Sequence, residues 1–136
     1  MPANPQKLFP LFLTEKLAET KRFYTEKAEF KVVVDRDMYL QVESPEPGQP
    51  HLCFMKPDAF PDGKSRPAFS GKGVVVSVPT KNADEKYKRL EQRGAELLSK
   101  PEDKPWGWRS FFAVDPNGVV LDFFHVYKDV DPQTMV

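Results

Sequence analysis

The sequence has one cysteine, Cys53, and two histidines, His51 and His125. A single thiol excludes an intrachain disulfide and a cysteine-rich zinc site. Two histidines so far apart form no metal motif. An excess of charge of either sign is also missing: 20 Lys and Arg stand against 20 Asp and Glu, for a formal net charge of zero. This balance argues against nucleic-acid binding by a basic domain and against attraction to an anionic membrane. Apolar runs such as Leu8–Leu13 and Gly73–Val76 fall far short of a membrane span. Met1–Lys7 lacks the apolar stretch of a secretory signal. A cytoplasmic protein in a reducing compartment is the expectation.

What is present is a core and clear punctuation. A chain of 136 residues is one domain, or two very small halves sharing a core. Hydrophobic residues make up 40%, with eleven Phe, enough to fold without metal or disulfide. The fourteen prolines are about twice average usage. They cluster in Pro45–Pro50, Pro57–Pro67 and Pro101–Pro105, and so mark loops.

The hydrophobic periodicity predicts a strand at Leu8–Leu13, with Pro10 arguing for an edge or a strand end. Thr14 is placed to cap a helix whose apolar face carries Leu17, Tyr24 and Ala28 beside Phe23. Strands are expected at Phe30–Arg36, Met38–Glu43 and His51–Lys56, with a loop at Ser44–Pro50. Pro57–Lys72 reads as a linker. The second half begins with a strand at Gly73–Val78. Asn82 and Glu85 give a capping-box-like helix start, Ala83, Tyr87 and Leu90 an apolar stripe, and Gly94 a C-terminal glycine. A short strand at Ala95–Ser99 precedes strands at Arg109–Val114 and Val119–Val126. Asp115-Pro116-Asn117-Gly118 between the last two matches a type I turn. Each half therefore reads strand, helix, strand, strand, strand, an internal repeat of pattern. An offset of 64 places Phe9 on Gly73, Phe12 on Val76 and Phe23 on Tyr87.

Phe12-Leu13-Thr14 followed by Phe23-Tyr24 resembles the opening of the glyoxalase/bleomycin resistance/dioxygenase superfamily, the vicinal oxygen chelate proteins. Pro105-Trp106-Gly107 with Arg109, then Asp115-Pro116-Asn117-Gly118-Val119-Val120-Leu121-Asp122-Phe123, is similar to that family's closing hairpin. The resemblance covers roughly Leu8 to Lys128. It implies an α+β fold of two βαβββ modules forming a cup-shaped mixed sheet, usually in a homodimer. Module one would span residues 8–56, a linker 57–72, and module two 73–128.

The family's enzymes hold a divalent metal through His, Glu or Gln on the first and last strands of each module. By the resemblance these positions fall on Phe9, Cys53, Gly73 and Asp122. Phe and Gly offer no ligand, and one thiol with one carboxylate is too few. No metal site and no cofactor are expected, and glyoxalase I or extradiol dioxygenase chemistry is disfavoured.

Asp122 lies in an apolar strand, where a carboxylate facing the cup has a raised pKa unless paired. It could act as acid or base or hold a cationic ligand group; the alternative is a structural pair with Arg109 or a lysine. Strand alternation puts Asp122 and Phe124 on one face, Phe123 and His125 on the other. Arg109 could clamp an anionic substituent, or pair with Asp122 or Glu102. Trp106 and Trp108 could stack a planar ligand, or fill the core and a dimer seam. Cys53 reads as a buried small hydrophobe, and His51 as surface or rim.

These readings favour a metal-independent binder of a small planar or hydrophobic molecule, as in drug sequestration. Its ligand-binding residues would be Phe9, Trp106, Trp108, Arg109, Asp122 and Phe124; its partners, that ligand and a second copy of the chain, without nucleic acid or membrane. The alternatives are a divalent-metal-dependent lyase, isomerase or dioxygenase with an atypical ligand set, with Asp122 as the candidate catalytic group, and an accessory protein with a vestigial cup.

Overall fold

The computed structural model describes residues 7–60, 67–131 and Gln133. They form two compact units. One runs to Lys72 and takes in the turn Pro116–Gly118; the other holds Gly73–Asp115 and the chain from Val119 onward. The architecture is α+β, with a mixed sheet in each unit. Among the described residues no helix is long and apolar enough to cross a membrane.

In the first unit the elements are β1 (Leu11–Leu13), α1 (Leu17–Arg22), a π turn (Phe23–Lys27), β2 (Lys31–Arg36), β3 (Tyr39–Glu43) and β4 (Leu52–Met55). The sheet order is β1-β4-β3-β2, with β1 parallel to β4 and the other pairs antiparallel. The expected first strand shortens to three residues. Pro10 has no N–H for the ladder, yet its carbonyl accepts from Cys53 N at 3.1 Å. Thr14 does not cap α1: its Oγ1 accepts from Lys16 N two residues on, at 2.9 Å, and the N-cap Lys16 makes no capping bond with its side chain. The π turn brings Phe23, Tyr24, Ala28 and Phe30 into the core, where Tyr24 packs on Phe54 and Phe30. Part of the supposed linker is packed structure: Phe69 sets its ring against Phe12 and donates its amide to Leu13 O at 2.7 Å. Pro57–Ala59 is a 3₁₀ turn, and residues 61–66 lie outside the described residues.

The second unit runs β5 (Val75–Pro79), α2 (Ala83–Gln92), β6 (Glu96–Leu97), β7 (Glu102–Asp103), β8 (Trp108–Val114) and β9 (Val120–Val126). Its sheet order is β5-β9-β8-β6, with β7 added against β8. The short β7 has no periodicity from which it could be foreseen. Asn82 Oδ1 accepts from Glu85 N at 3.1 Å and caps α2, and Gly94 ends the helix with φ of +78°. The helix packs Ala83 and Leu90, both fully buried, and Tyr87, edge-on to Phe111, against one face of β8 and β9. Phe111 and Phe123 stack beneath it at 5.3 Å.

The two units share one hydrogen-bonding frame, but at a different offset from the one the sequence suggests. Thr14 N donates to Met55 O, and Thr80 N to Phe124 O, at 2.9 and 2.8 Å. Thr14 thus corresponds to Thr80 and Tyr24 to Leu90, an offset of 66. The counterpart of Phe9 is therefore Val75, not Gly73. Cys53 corresponds to Asp122.

Gly107 makes the tight reversal before β8. Its φ is +90° and a Cβ there would lie 2.0 Å from Lys128 O, while its own carbonyl accepts from Tyr127 N and Lys128 N. Gly107→Ala must therefore open the turn and displace the chain after β9. It is expected to cost about 2 kcal/mol or more, lowering the thermal midpoint by roughly 6 °C. A midpoint within a degree of wild type in a melting experiment would refute this.

Candidate functional site

The β8–β9 hairpin decides which side chains share a face. Asp115 Oδ1 accepts from Val119 N at 2.9 Å and closes the turn. Pairing then sets Val114 opposite Val120, Phe112 opposite Asp122, Ser110 opposite Phe124 and Trp108 opposite Val126. On the other flank, parallel β5 sets Val75 by Val120, Ser77 by Asp122 and Pro79 by Phe124. Because side chains alternate, all of these face away from α2. This sheet face is mostly apolar, with a polar centre.

Asp122 is that centre. It is 6% exposed. Its Oδ2 accepts from Ser77 Oγ at 3.2 Å, while Oδ1 and the Ser110 hydroxyl, both buried, make no hydrogen bond of ordinary geometry, although the hydroxyl lies near enough to act on the carboxyl. Burial pushes the Asp122 carboxyl above the usual aspartate range, against the opposing pull of the Ser77 and Ser110 hydroxyls and of the Lys104 ammonium. Lys104 pairs with Glu102 and lies 5.5 Å over the Phe112 ring. Beside Asp122, Trp108 stacks flat on Phe124, with centroids 3.7 Å apart and planes at 11°. Trp108, Asp122 and Phe124 therefore share one face.

Arg109 does not join them. Opposite His125 in the ladder, it points to the α2 side. Its guanidinium grips Asp84 through two bonds of 2.8 and 2.9 Å and reaches Asp103 at 3.0 Å. It pairs with neither Asp122 nor Glu102, because alternation puts it on the wrong face. The contact holds the Asp84 carboxyl below its ordinary range. His125 also serves α2: its Nδ1 accepts from Ala83 N at 2.8 Å. Trp106 lies outside the regular strands at 41% exposure. Phe9, half-buried, precedes β1 in the first unit.

Sequence reasoning missed Ser77, Ser110, Phe112 and Lys104 around Asp122. The turn Asp115–Gly118 carries enough register to pair Phe112 with Asp122; the parallel partner Ser77 leaves no local signal. His51 is a second miss. It is 1% exposed and belongs to a polar chain on the face of the first sheet turned away from α1. Tyr39 Oη donates to Gln41 Oε1 at 2.8 Å, and Gln41 Nε2 meets His51 Nδ1 at 2.6 Å. His51 Nε2 stands 3.5 Å from Glu43. Cys53 hydrogen-bonds Tyr39, and burial pushes its thiol pKa up.

The sequence profile of the Glyoxalase/Bleomycin resistance protein/Dioxygenase superfamily matches residues 10–123. The chain belongs to this superfamily. A superfamily member from Nocardioides is 24% identical, with a TM-score of 0.74, covering 97% of this chain and 90% of its own. A second, from Sphaerobacter thermophilus, is 26% identical with a TM-score of 0.65, over 85% and 93%. TnmS3, an antibiotic binding protein from Streptomyces sp. CB03234, is 25% identical with a TM-score of 0.65, over 90% and 97%. No curated protein matches the sequence.

The residues at the superfamily's metal positions do not suit a metal. Phe9 and Val75 carry no donor, and the Cys53 thiol, held protonated by burial, is a poor ligand. Among the described residues no group of three or more His, Cys, Asp or Glu is placed to hold an ion.

Because burial raises its pKa, Asp122 in the folded chain holds its proton more tightly than in the unfolded chain. The cost of ionisation is full above the folded pKa and vanishes as pH falls below the unfolded value. Asp122→Asn is therefore expected to stabilise the free protein at neutral pH by about 1 kcal/mol, a midpoint gain of roughly 3 °C. Melting curves should show the gain closing toward about pH 3. Arg109→Gln should instead lose less than about 1 kcal/mol, since its partners are half-exposed and solvent screens them.

Proposed function

We propose that this protein is a metal-independent binder of a small planar molecule, gripped on the second sheet's face by Trp108, Phe124 and Asp122. The observation that carries the reading is a buried carboxylate with an unpartnered oxygen beside a flat aromatic pair. An apolar face with a few fixed polar groups is the ordinary chemistry of a small-molecule site. The antibiotic-binding description of TnmS3 supports the same class, and drug sequestration is the activity we assign. The protein would work as a cytoplasmic homodimer, so sedimentation equilibrium should return twice the 15.6 kDa chain mass.

Calorimetric titration with flat polycyclic compounds tests the site. Trp108→Ala should weaken binding by about tenfold or more, the loss of one stacked aromatic contact, whereas Arg109→Gln should leave it unchanged. Equal affinity for wild type and Trp108→Ala would remove Trp108 from the site. Protein stripped with EDTA should show no midpoint shift with Ni²⁺, Mn²⁺, Fe²⁺ or Zn²⁺. Native-state binding at a hundredfold excess over Kd would add roughly 2.7 kcal/mol, so a shift abolished by Asp122→Ala would restore the metal-dependent enzyme reading.

A further inference from the structure

Resting on that reading, we propose that the Asp122 face selects planar aromatic ligands bearing a positive charge, a protonated amine or amidine shared between Asp122 Oδ1 and Ser110 Oγ. Among the described residues, the buried side-chain oxygens without a hydrogen bond of ordinary geometry are these two, and the hydroxyl acts on the carboxyl from nearby. They lie on neighbouring strands at adjacent cross-strand positions, since Asp122 pairs with Phe112 and Ser110 with Phe124. A charged N–H group offers what both need: one donor makes a charge-assisted bond to the carboxylate, and a second reaches the hydroxyl. Oδ2 is already served by Ser77. A neutral ring would leave the carboxylate desolvated and unmatched.

The other charges on this side agree. Lys104 is the cation that acts on Asp122, but its ammonium is committed to Glu102 and the Phe112 ring. Glu102 pairs with Ser110 in the ladder, so two carboxylates and one ammonium border the site. Trp108 and Phe124 offer ring faces, which attract a cation as well as a flat ring. Arg109 and His125, the remaining charged or titratable groups of β8 and β9, sit on the opposite face with Asp84 and the start of α2.

Three tricyclic probes of similar outline separate the possibilities: aminoacridine, acridine and anthracene carboxylate, titrated calorimetrically into the full chain at weakly alkaline pH. There the first is cationic, the second neutral and the third anionic. Aminoacridine should bind about tenfold or more tighter than acridine. That preference should collapse in Asp122→Asn and shrink in Ser110→Ala, while Arg109→Gln keeps it. A cooperative melting curve for Asp122→Asn is the check that this variant is folded. Equal binding of aminoacridine and acridine overturns the charge selection, and tightest binding of anthracene carboxylate overturns it in favour of Lys104. If Trp108→Ala still weakens the probes in those cases, the binder reading stands alone. Absence of binding by all three probes overturns both.

Discussion

Everything on the second sheet hangs on the register of one hairpin. The Asp115 carboxylate fixes the turn by accepting from Val119 N, and from there each residue of β8 has one partner on β9. Side chains repeat every two residues, so a slip of one would exchange the two faces completely. Asp122 would be thrust beneath α2, and Phe111 and Phe123 would leave the core. The packing of Leu90 and Tyr87 on that core penalises such a slip heavily. A hydrophobic constraint on one side of the sheet thereby positions a carboxylate on the other.

The two units show how one backbone frame carries different chemistry. At corresponding strand positions stand Cys53 and Asp122, both nearly inaccessible. In the first unit, polar side chains on the helix-averted face satisfy one another from Cys53 through Tyr39, Gln41 and His51 to Glu43. In the second, the equivalent row is sparser: Ser77 bonds one oxygen of Asp122, and the Ser110 hydroxyl acts on the carboxyl without an ordinary hydrogen bond. A completed network ties neighbouring strands together; an incomplete one leaves a buried carboxylate less well satisfied.

Much of the fold was legible because it rests on local chemistry. Asn82 with Glu85, Gly94, and the turn Asp115–Gly118 each specify geometry over a few residues, and their elements lie where the pattern puts them. The alternation of β9 correctly separates Asp122 and Phe124 from Phe123 and His125. Failures came where partners are distant. The offset between the halves depends on which carbonyl Thr14 and Thr80 reach, and two residues of error moved a candidate ligand position from Val75 to Gly73. Arg109 found Asp84, a helix residue 25 positions away, and Asp103, rather than Asp122 or Glu102. His51 read as rim because nothing local announces Gln41 across a strand pair. Gln41, a polar residue in β3, is fully buried.

The protonated state of Cys53 has a consequence for oxidative chemistry. Peroxide attack and disulfide exchange require the thiolate, and here the thiol is enclosed, hydrogen-bonded to Tyr39 and held neutral by burial. With no second sulfhydryl in the sequence, Cys53 has no intrachain partner for a disulfide. A sulfhydryl introduced on the surface would therefore react with a labelling reagent ahead of the enclosed Cys53.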